Sequence, residues 1–319
     1  MNARLRPWRA LLVVLSASGL ALGAAAAAAA APGQPSAVRA PRAVSAAAAS
    51  TCDPKASSLS PSGPPQVTAG SFMAKIRARG YLIAGVDQST YHFGYLNPLD
   101  GQIEGFDIDQ VRAVAGAIFG ISPTSDAVLA KIRFKAISDA DRIPDVQNGT
   151  VDIVAHTMTI NCQRLQEVDF SSVYFDAGQR VLVLKNSTAT SLDDLHGQKV
   201  CATTGSDSVA RIQAHQAIAV RVPYWTDCLV QLQQGDVAAV STDDSILAGL
   251  AAQDPWTKLV GPPLTNEPYG LAISKQHTDF VRFVNAVLQQ LRTNGRWAAS
   301  YAHWVGTPVP APPPAQYRS

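Results

Sequence analysis

VDIVAHTMTINCQR, residues 151–164, joins two kinds of chain. Val151 to Ala155 is short, apolar and β-branched, as a buried strand requires. His156 to Arg164 then brings two threonine hydroxyls, a cysteine and a guanidinium to the carboxyl end of that strand. In layered α/β proteins ligands sit at the carboxyl ends of strands. A guanidinium offers a planar fork of N–H groups that accommodates a carboxylate through two parallel bonds. Read alone, an arginine such as Arg164 is more commonly a surface residue capping a nearby carbonyl.

Working outward, the same pattern recurs. YLIAGVD (81–87), KIRFKAI (131–137), VDIVAHTM (151–158), RVLVLK (180–185), KVCAT (199–203), VAAVST (237–242) and YGLAIS (269–274) read as strands bounded by turn residues. Helical periods lie between them. In DIDQVRAVAGAIFG, Ile108, Val111, Ala115 and Ile118 share one face and Gly120 supplies a stop. In DFVRFVNAVLQQLRTNG, Phe280, Phe283, Val284, Val287, Leu288 and Leu291 form a stripe that ends before Gly295. These stripes are core. Their alternation with strands predicts an α/β fold.

Two further strand ends carry chemistry. TTGSDS (203–208) follows KVCAT and precedes a helical segment that starts near Ser208, so its backbone N–H groups form a potential anion site. Such turns are also common as plain helix starts. STDDS (241–245) places paired aspartates where VAAVST leaves the core; one aspartate is expected to meet a cation and the other to cap the helix SILAGLAA. Arg with hydroxyls, an anion-binding turn and a carboxylate together match the anion and ammonium of an α-amino acid.

The remainder of the chain sets the compartment. MNARLRPWRA, then LLVVLSASGLALG and an alanine run to Ala31, has the layout of a secretory signal peptide; an uncleaved anchor over Ala10 to Ala31 is the other reading. Loss of residues 1–31 removes Arg4, Arg6 and Arg9 and no acid, taking the formal charge from +2 to −1. A near-neutral chain lacks the basic stripe of a nucleic-acid partner. Four cysteines, Cys52, Cys162, Cys201 and Cys228, suit two disulfides in an oxidising compartment, and three pairings are open. No C-x-x-C or His-rich cluster supports a metal, and no cofactor is expected. Residues 32–70 are Pro, Ser and Ala, read as a flexible tether. The tail from Thr307, TPVPAPPPAQYRS, reads as extended.

From about Ser71 to Val305 the chain resembles the family 3 extracellular solute-binding proteins of amino-acid ABC transporters. GFDIDQV, RIPDVQNGTVDIV, TMTINCQR, VDFSSVYF, TTGSDS and STDDSILAG stand in that family's order and spacing. FGYLNPLDGQIEGFDID, CATTGS, WTDCLVQLQQG, STDDSILAGLAAQDP and GRWAASYAHWV are similar to the actinobacterial glutamine/glutamate/aspartate-binding proteins. The resemblance implies the type II periplasmic-binding-protein fold, two α/β lobes joined by a two-stranded hinge. It sets lobe 1 at 71–176 and 267–306, lobe 2 at 177–266, and the hinge crossings near Tyr174 to Arg180 and Asn266 to Tyr269.

The resemblance also implies roles. Arg164, Thr159 and the backbone near Thr157 and Met158 take the α-carboxylate, with N–H groups of Ser206 and Asp207 across the cleft. Asp243 takes the α-ammonium. Asp87 lies where the family places further contacts, and Tyr91 or Phe93 forms an apolar wall. Arg142, in RIPDVQNGT, reaches a distal carboxylate and so favours L-glutamate or L-aspartate over glutamine or asparagine; the other reading pairs it with Asp139 or Asp141 on the surface. His156 stands where close relatives carry Lys or Arg, with less charge to lend. Relatives bridge Cys201 to Cys228, and with that pairing Cys52 goes to Cys162.

The function implied is that of an extracytoplasmic monomer delivering an amino acid to an ABC permease, or reporting it to a membrane sensor. No Cys lies near the end of the signal peptide, so a lipid anchor lacks support and secreted or cell-surface forms stay open. The alternative class is an enzyme on the same fold, an arogenate- or prephenate-dehydratase-like lyase. His156 and Asp87 would be its acid–base candidates.

Overall fold

The computed structural model describes residues 52–318; the signal-peptide segment and the first part of the expected tether lie outside them. In chain order the elements are α1 (Phe72–Arg79), β1 (Leu82–Val86), β2 (Ser89–Thr90), β3 (Gly94–Leu96), β4 (Ile103–Glu104), α2 (Phe106–Phe119), β5 (Ile132–Ala136), α3 (Arg142–Gln147), β6 (Ile153–Ala155), α4 (Arg164–Glu167) and β7 (Asp169–Phe170). There follow β8 (Phe175–Ala177), β9 (Gln179–Leu184), β10 (Lys199–Thr203), α5 (Ser208–Ala214), β11 (Ile218–Val222), α6 (Trp225–Gln234), β12 (Ala239–Asp243), α7 (Asp244–Gln253) and β13 (Thr257–Val260). The chain closes with β14 (Glu267–Tyr269), β15 (Ala272–Ile273), α8 (Thr278–Thr293) and α9 (Arg296–Trp304).

Two five-stranded sheets result, ordered β5-β1-β6-β15-β7 and β11-β10-β12-β9-β13. Each has a parallel half and an antiparallel half. β1 runs parallel to β5 and β6, with Leu82 opposite Ile132 and Ala84 opposite Ile153. β10 runs parallel to β11 and β12, with Lys199 opposite Ile218 and Val200 opposite Ala239. Between the two lobes the chain crosses at β8 and returns at β14, which pair antiparallel as a sheet of their own.

The period-two pattern explains the layers. Leu82, Ala84 and Val86 face one apolar cluster with Phe106, Val111 and the α8 stripe. Val151, Val154, Ile137 and Phe170 form a second cluster on the other face of the same sheet. Val200, Ala202, Ala239 and Val240 pack with Ile212, Leu229, Leu232 and Leu250 in the second lobe. The α2 helix ends at Gly120, which adopts a left-handed φ of 71°.

Three segments differ from the sequence reading. VDIVAHTM shortens to β6 because Thr157 turns out of the extended region, with φ 42°. YGLAIS splits into β14 and β15, since the backbone from Met158 to Ile160 claims the intervening groups: Ile160 N–H donates to Pro268 O (2.7 Å) and Gly270 N–H to Met158 O (3.1 Å). The described part of the expected tether, 52–70, is held rather than free. Ser58 Oγ donates to Phe170 O (2.7 Å), Asn285 Nδ2 to Leu59 O (2.6 Å) and Lys55 Nζ meets Asp176 at 2.9 Å. The tail returns beside it, with Arg318 N–H donating to Ser58 O (2.8 Å). Polar composition missed this because backbone and hydroxyl bonds, with little apolar burial, hold the strap.

Candidate functional site

The carboxyl ends of β5, β6, β10 and β12 converge between the two sheets. Asp139, Arg142, Thr157, Thr159 and Arg164 come from one lobe; Ser206, Asp207, Ser208, Trp225, Thr242, Asp243 and Ile246 come from the other. The cavity between them has a volume of about 10 Å³, so the lobes stand apposed around their polar groups. A groove of about 740 Å³, lined among others by Lys55, Asn161, Arg211 and Glu267, shares Thr159 and Asp207 with that cavity. The groove is larger, but Asp139, Arg142, Arg164 and Asp243, all buried, line the inner cavity.

Arg164 opens α4 and is 7 % exposed. Its Nη1 donates to Thr159 O (2.7 Å) and lies 3.6 Å from Asp207, while Nη2 reaches across to Gly205 O (3.5 Å). The threonine segment that it braces is held from beneath. Asp107, at the start of α2, accepts from Thr157 N–H (2.7 Å) and from the Tyr174 hydroxyl (2.6 Å). Burial raises its pKa to about 6, against those two bonds.

Opposite lies Asp243 at the end of β12, 4 % exposed. Tyr269 donates to its Oδ2 at 2.6 Å. Burial, reinforced by the Asp207 and Glu267 charges, holds this carboxyl well above the ordinary carboxylate range, and the Tyr269 bond opposes the shift. An ammonium placed beside it would favour the ionised form and oppose that shift. The helix-capping job falls to its neighbour in part, for Asp244 Oδ1 accepts from Ser245 N–H (2.8 Å) and Gly178 N–H (3.2 Å).

Arg142 is buried, at 3 % exposure, and not on the surface. Its Nη1 sits 2.8 Å from Asp139 Oδ1, Nε donates to Asp139 O (3.0 Å), and further N–H groups reach His156 O (3.2 Å) and Gly205 O (3.3 Å). Its pKa is lowered by burial, which Asp139 counteracts. The sequence raised both a ligand role and an Asp139 pair; the structure places the pair in the cleft wall. Thr203 Oγ1 donates to Asp139 from the other lobe.

The remaining expected residues divide. Ser206 and Asp207 line the cavity, although Ser206 N–H donates back to Thr203 O (3.3 Å) within the turn. His156 is buried directly behind Asp139, with Nδ1 3.4 Å from Oδ1. Asp87 is 2 % exposed and occupied by Gln88 N–H, Ser89 and Thr90, so it shapes its own turn. Met158 belongs to the apolar cluster beneath the sheet. Phe93 packs edge-on against Phe175 and Phe106 in the core. Tyr91 meets the other lobe through its backbone: a Cβ added at Gly249 would lie 2.5 Å from Tyr91 O.

Four participants were not singled out as ligand-facing in the sequence: Asp107, Asp139, Trp225 and Tyr269. Asp107 in GFDIDQV and Asp139 in SDADR had a signal, since each is an acid beside a strand end or helix start. Tyr269 had none, because only the return of β14 brings it to Asp243. The cysteines pair as Cys52 with Cys162 and Cys201 with Cys228. The first bridge ties the strap to the loop between Thr159 and Arg164.

Comparison with known proteins places these features in a family. Residues 82–307 match the bacterial extracellular solute-binding proteins, family 3. The chain is similar to the ABC transporter glutamine-binding protein of Bacillus subtilis, 37 % identical over 236 residues that cover 73 % of this chain and 84 % of that one. It is also similar to the glutamate/aspartate import solute-binding protein of Escherichia coli, 27 % identical over 252 residues, 76 % of this chain and 82 % of that one. Among solved structures, an ancestral arginine-binding protein bound to glutamine superposes with a TM-score of 0.65 at 32 % identity, covering 72 % of this chain and 99 % of the other.

Proposed function

The chain belongs to the bacterial extracellular solute-binding proteins of family 3, and from that premise we propose that it captures a free polar α-amino acid of the glutamine, glutamate and aspartate class outside the cytoplasm. One observation carries the reading: Arg164 of one lobe and Asp243 of the other, both buried, line the same cavity. A carboxylate on Arg164 and an ammonium on Asp243 complete both groups. Each charge-assisted bond contributes about 1.5 to 3 kcal/mol, and micromolar affinity requires only about 8 kcal/mol.

The ligand enters when the lobes separate about β8 and β14, and its charges then draw them together. Differential contact with two lobes is what ties closure to occupancy. The closed form is what a membrane permease, or a membrane sensor, would recognise. The family and the relatives named above are solute-binding proteins, and no observation in the cleft favours the lyase alternative.

Isothermal titration of protein unfolded and refolded to strip bound ligand, with L-Gln, L-Glu, L-Asp and L-Asn, tests this. Micromolar binding of at least one is expected, with loss of binding to all in Arg164→Ala. Absence of heat with every amino acid would sink the proposal.

A further inference from the structure

A separate hollow of about 360 Å³ lies between α2, α8 and α9 and shares no lining residue with the amino-acid cavity. Buried Ala113, Leu291 and Trp297 supply its apolar lining, with Trp304 beside them. Gln110, 0 % exposed, lines it too, and only one end of its amide is used. Nε2 donates to Phe106 O at 3.2 Å. A backbone carbonyl only accepts, so this bond fixes which end of the amide is which. Oε1 is then an acceptor, and it is buried with no donor. Such orphans are rare and call for a physical explanation. The lining is also unevenly charged. Arg112 and Arg296 stand against one acid, Asp109, whose Oδ2 already accepts from Ser300 Oγ (2.6 Å) and Trp304 Nε1 (2.9 Å). Arg112 has only the exposed Asp126 carboxylate at 3.7 Å, and Arg296 makes no ion pair among the described residues.

We propose that this hollow is a second ligand site, for a small aromatic acid that carries a hydroxyl or amino donor. The donor completes Gln110 Oε1, the ring packs against Trp297 and Trp304, and the carboxylate faces Arg112 and Arg296. Each part of that ligand answers one feature of the lining. A bare acceptor inside an apolar wall selects for an O–H or N–H group, because an analogue without one leaves the acceptor unpaired. Indole rings favour an aromatic partner through offset or edge-on contact beyond simple burial. Guanidinium groups take a carboxylate through a planar fork. The volume is at the low end for ligand pockets and suits a single ring.

The test is NMR of the tryptophan indole N–H groups in the full chain, titrated with 4-hydroxybenzoate. The Trp297 and Trp304 signals are expected to shift and saturate, with L-glutamine present or absent. Benzoate lacks the donor and should bind about tenfold more weakly. 4-Hydroxybenzamide lacks the charge and should bind about two- to fivefold more weakly. Ala299→Trp, at an exposed position in the lining, fills the hollow and should abolish the shifts with the thermal melt unchanged. Gln110→Met should weaken 4-hydroxybenzoate to the level of benzoate while leaving benzoate itself unaltered, a difference that a folding defect does not produce. Displacement by L-glutamine, equal binding of benzoate, or shifts that persist in Ala299→Trp overturn the assignment. So does the absence of any shift at millimolar probe, which leaves a water-filled hollow only. The amino-acid reading survives each of these outcomes, since its own titration reads a different site.

Discussion

Asp107 Oδ2 accepts a hydrogen bond from Thr157 N–H at 2.7 Å, so the first turn of α2 holds the threonine segment in its φ of 42°. A non-glycine residue in that region is held by its surroundings rather than by its own preference. Asp107→Ala leaves the Thr157 donor and the Tyr174 hydroxyl without this acceptor. The expected cost is about 1 to 3 kcal/mol of stability near pH 5, together with weaker ligand binding. Burial puts the folded pKa at about 6 against 3.8 ordinarily, so the folded state binds the proton more tightly. That contribution is complete below 3.8 and is lost as pH rises through about 6. The penalty of Asp107→Ala should therefore shrink between pH 5 and pH 8, as denaturant melts at both pH values would show.

Asp243 makes ligand binding pH-dependent. Burial, Asp207 and Glu267 raise its pKa well above 3.8, and an α-ammonium requires the carboxylate. Binding then releases a proton wherever the free protein holds one, so affinity should fall as pH drops through that raised value, earlier than for an ordinary aspartate. Glu267→Gln removes one of the repelling charges and should move the fall-off to lower pH. Titrations in buffers of different ionisation enthalpy report the proton directly, and an affinity that does not fall as pH is lowered would contradict the ammonium role.

Gly249 should act as a closure latch. Alanine in a helix interior is ordinarily more favourable than glycine by about 1 kcal/mol, yet a Cβ here would meet Tyr91 O of the other lobe at 2.5 Å. Gly249→Ala is therefore expected to keep or raise the thermal stability of free protein while weakening ligand binding by about tenfold, since 1.4 kcal/mol of clash suffices. Small-angle scattering with saturating ligand should show less compaction than in wild type. Unchanged affinity would mean that the lobes close without this contact.

The two disulfides should differ in worth. Cys52–Cys162 spans a separation of 110 residues and Cys201–Cys228 one of 27. In the chain-entropy account these correspond to about 5 and about 3.5 kcal/mol. Cys52→Ser with Cys162→Ser should also loosen the strap beside Arg164, weakening ligand binding; Cys201→Ser with Cys228→Ser should act on stability alone. Paired melts and titrations of the double variants distinguish the two effects.

Much of the architecture was legible because periodicity reports burial. β1, β5, β10, α2 and α8 lie where apolar spacing put them, and Arg164, Thr159, Asp207 and Asp243 meet at one cavity. Less legible were positions whose role depends on what sits behind them. Phe93 looked like a cleft wall and packs in the core, while Asp87 satisfies its own turn. Asp139 looked like half of a surface pair and is buried with Arg142.

By itself the sequence determined the strand-and-helix alternation, the motifs at the strand ends and, through them, the family. Hydrophobic spacing and turn chemistry are local, and local patterns survive in one dimension. Only the tertiary structure decided which acids face the cavity, that Tyr269 bonds Asp243, and that Asp139 is buried between Arg142 and His156. Burial and hydrogen-bond satisfaction depend on atoms far apart in the chain, and Asp139 and Thr203 become neighbours only when two lobes close on each other.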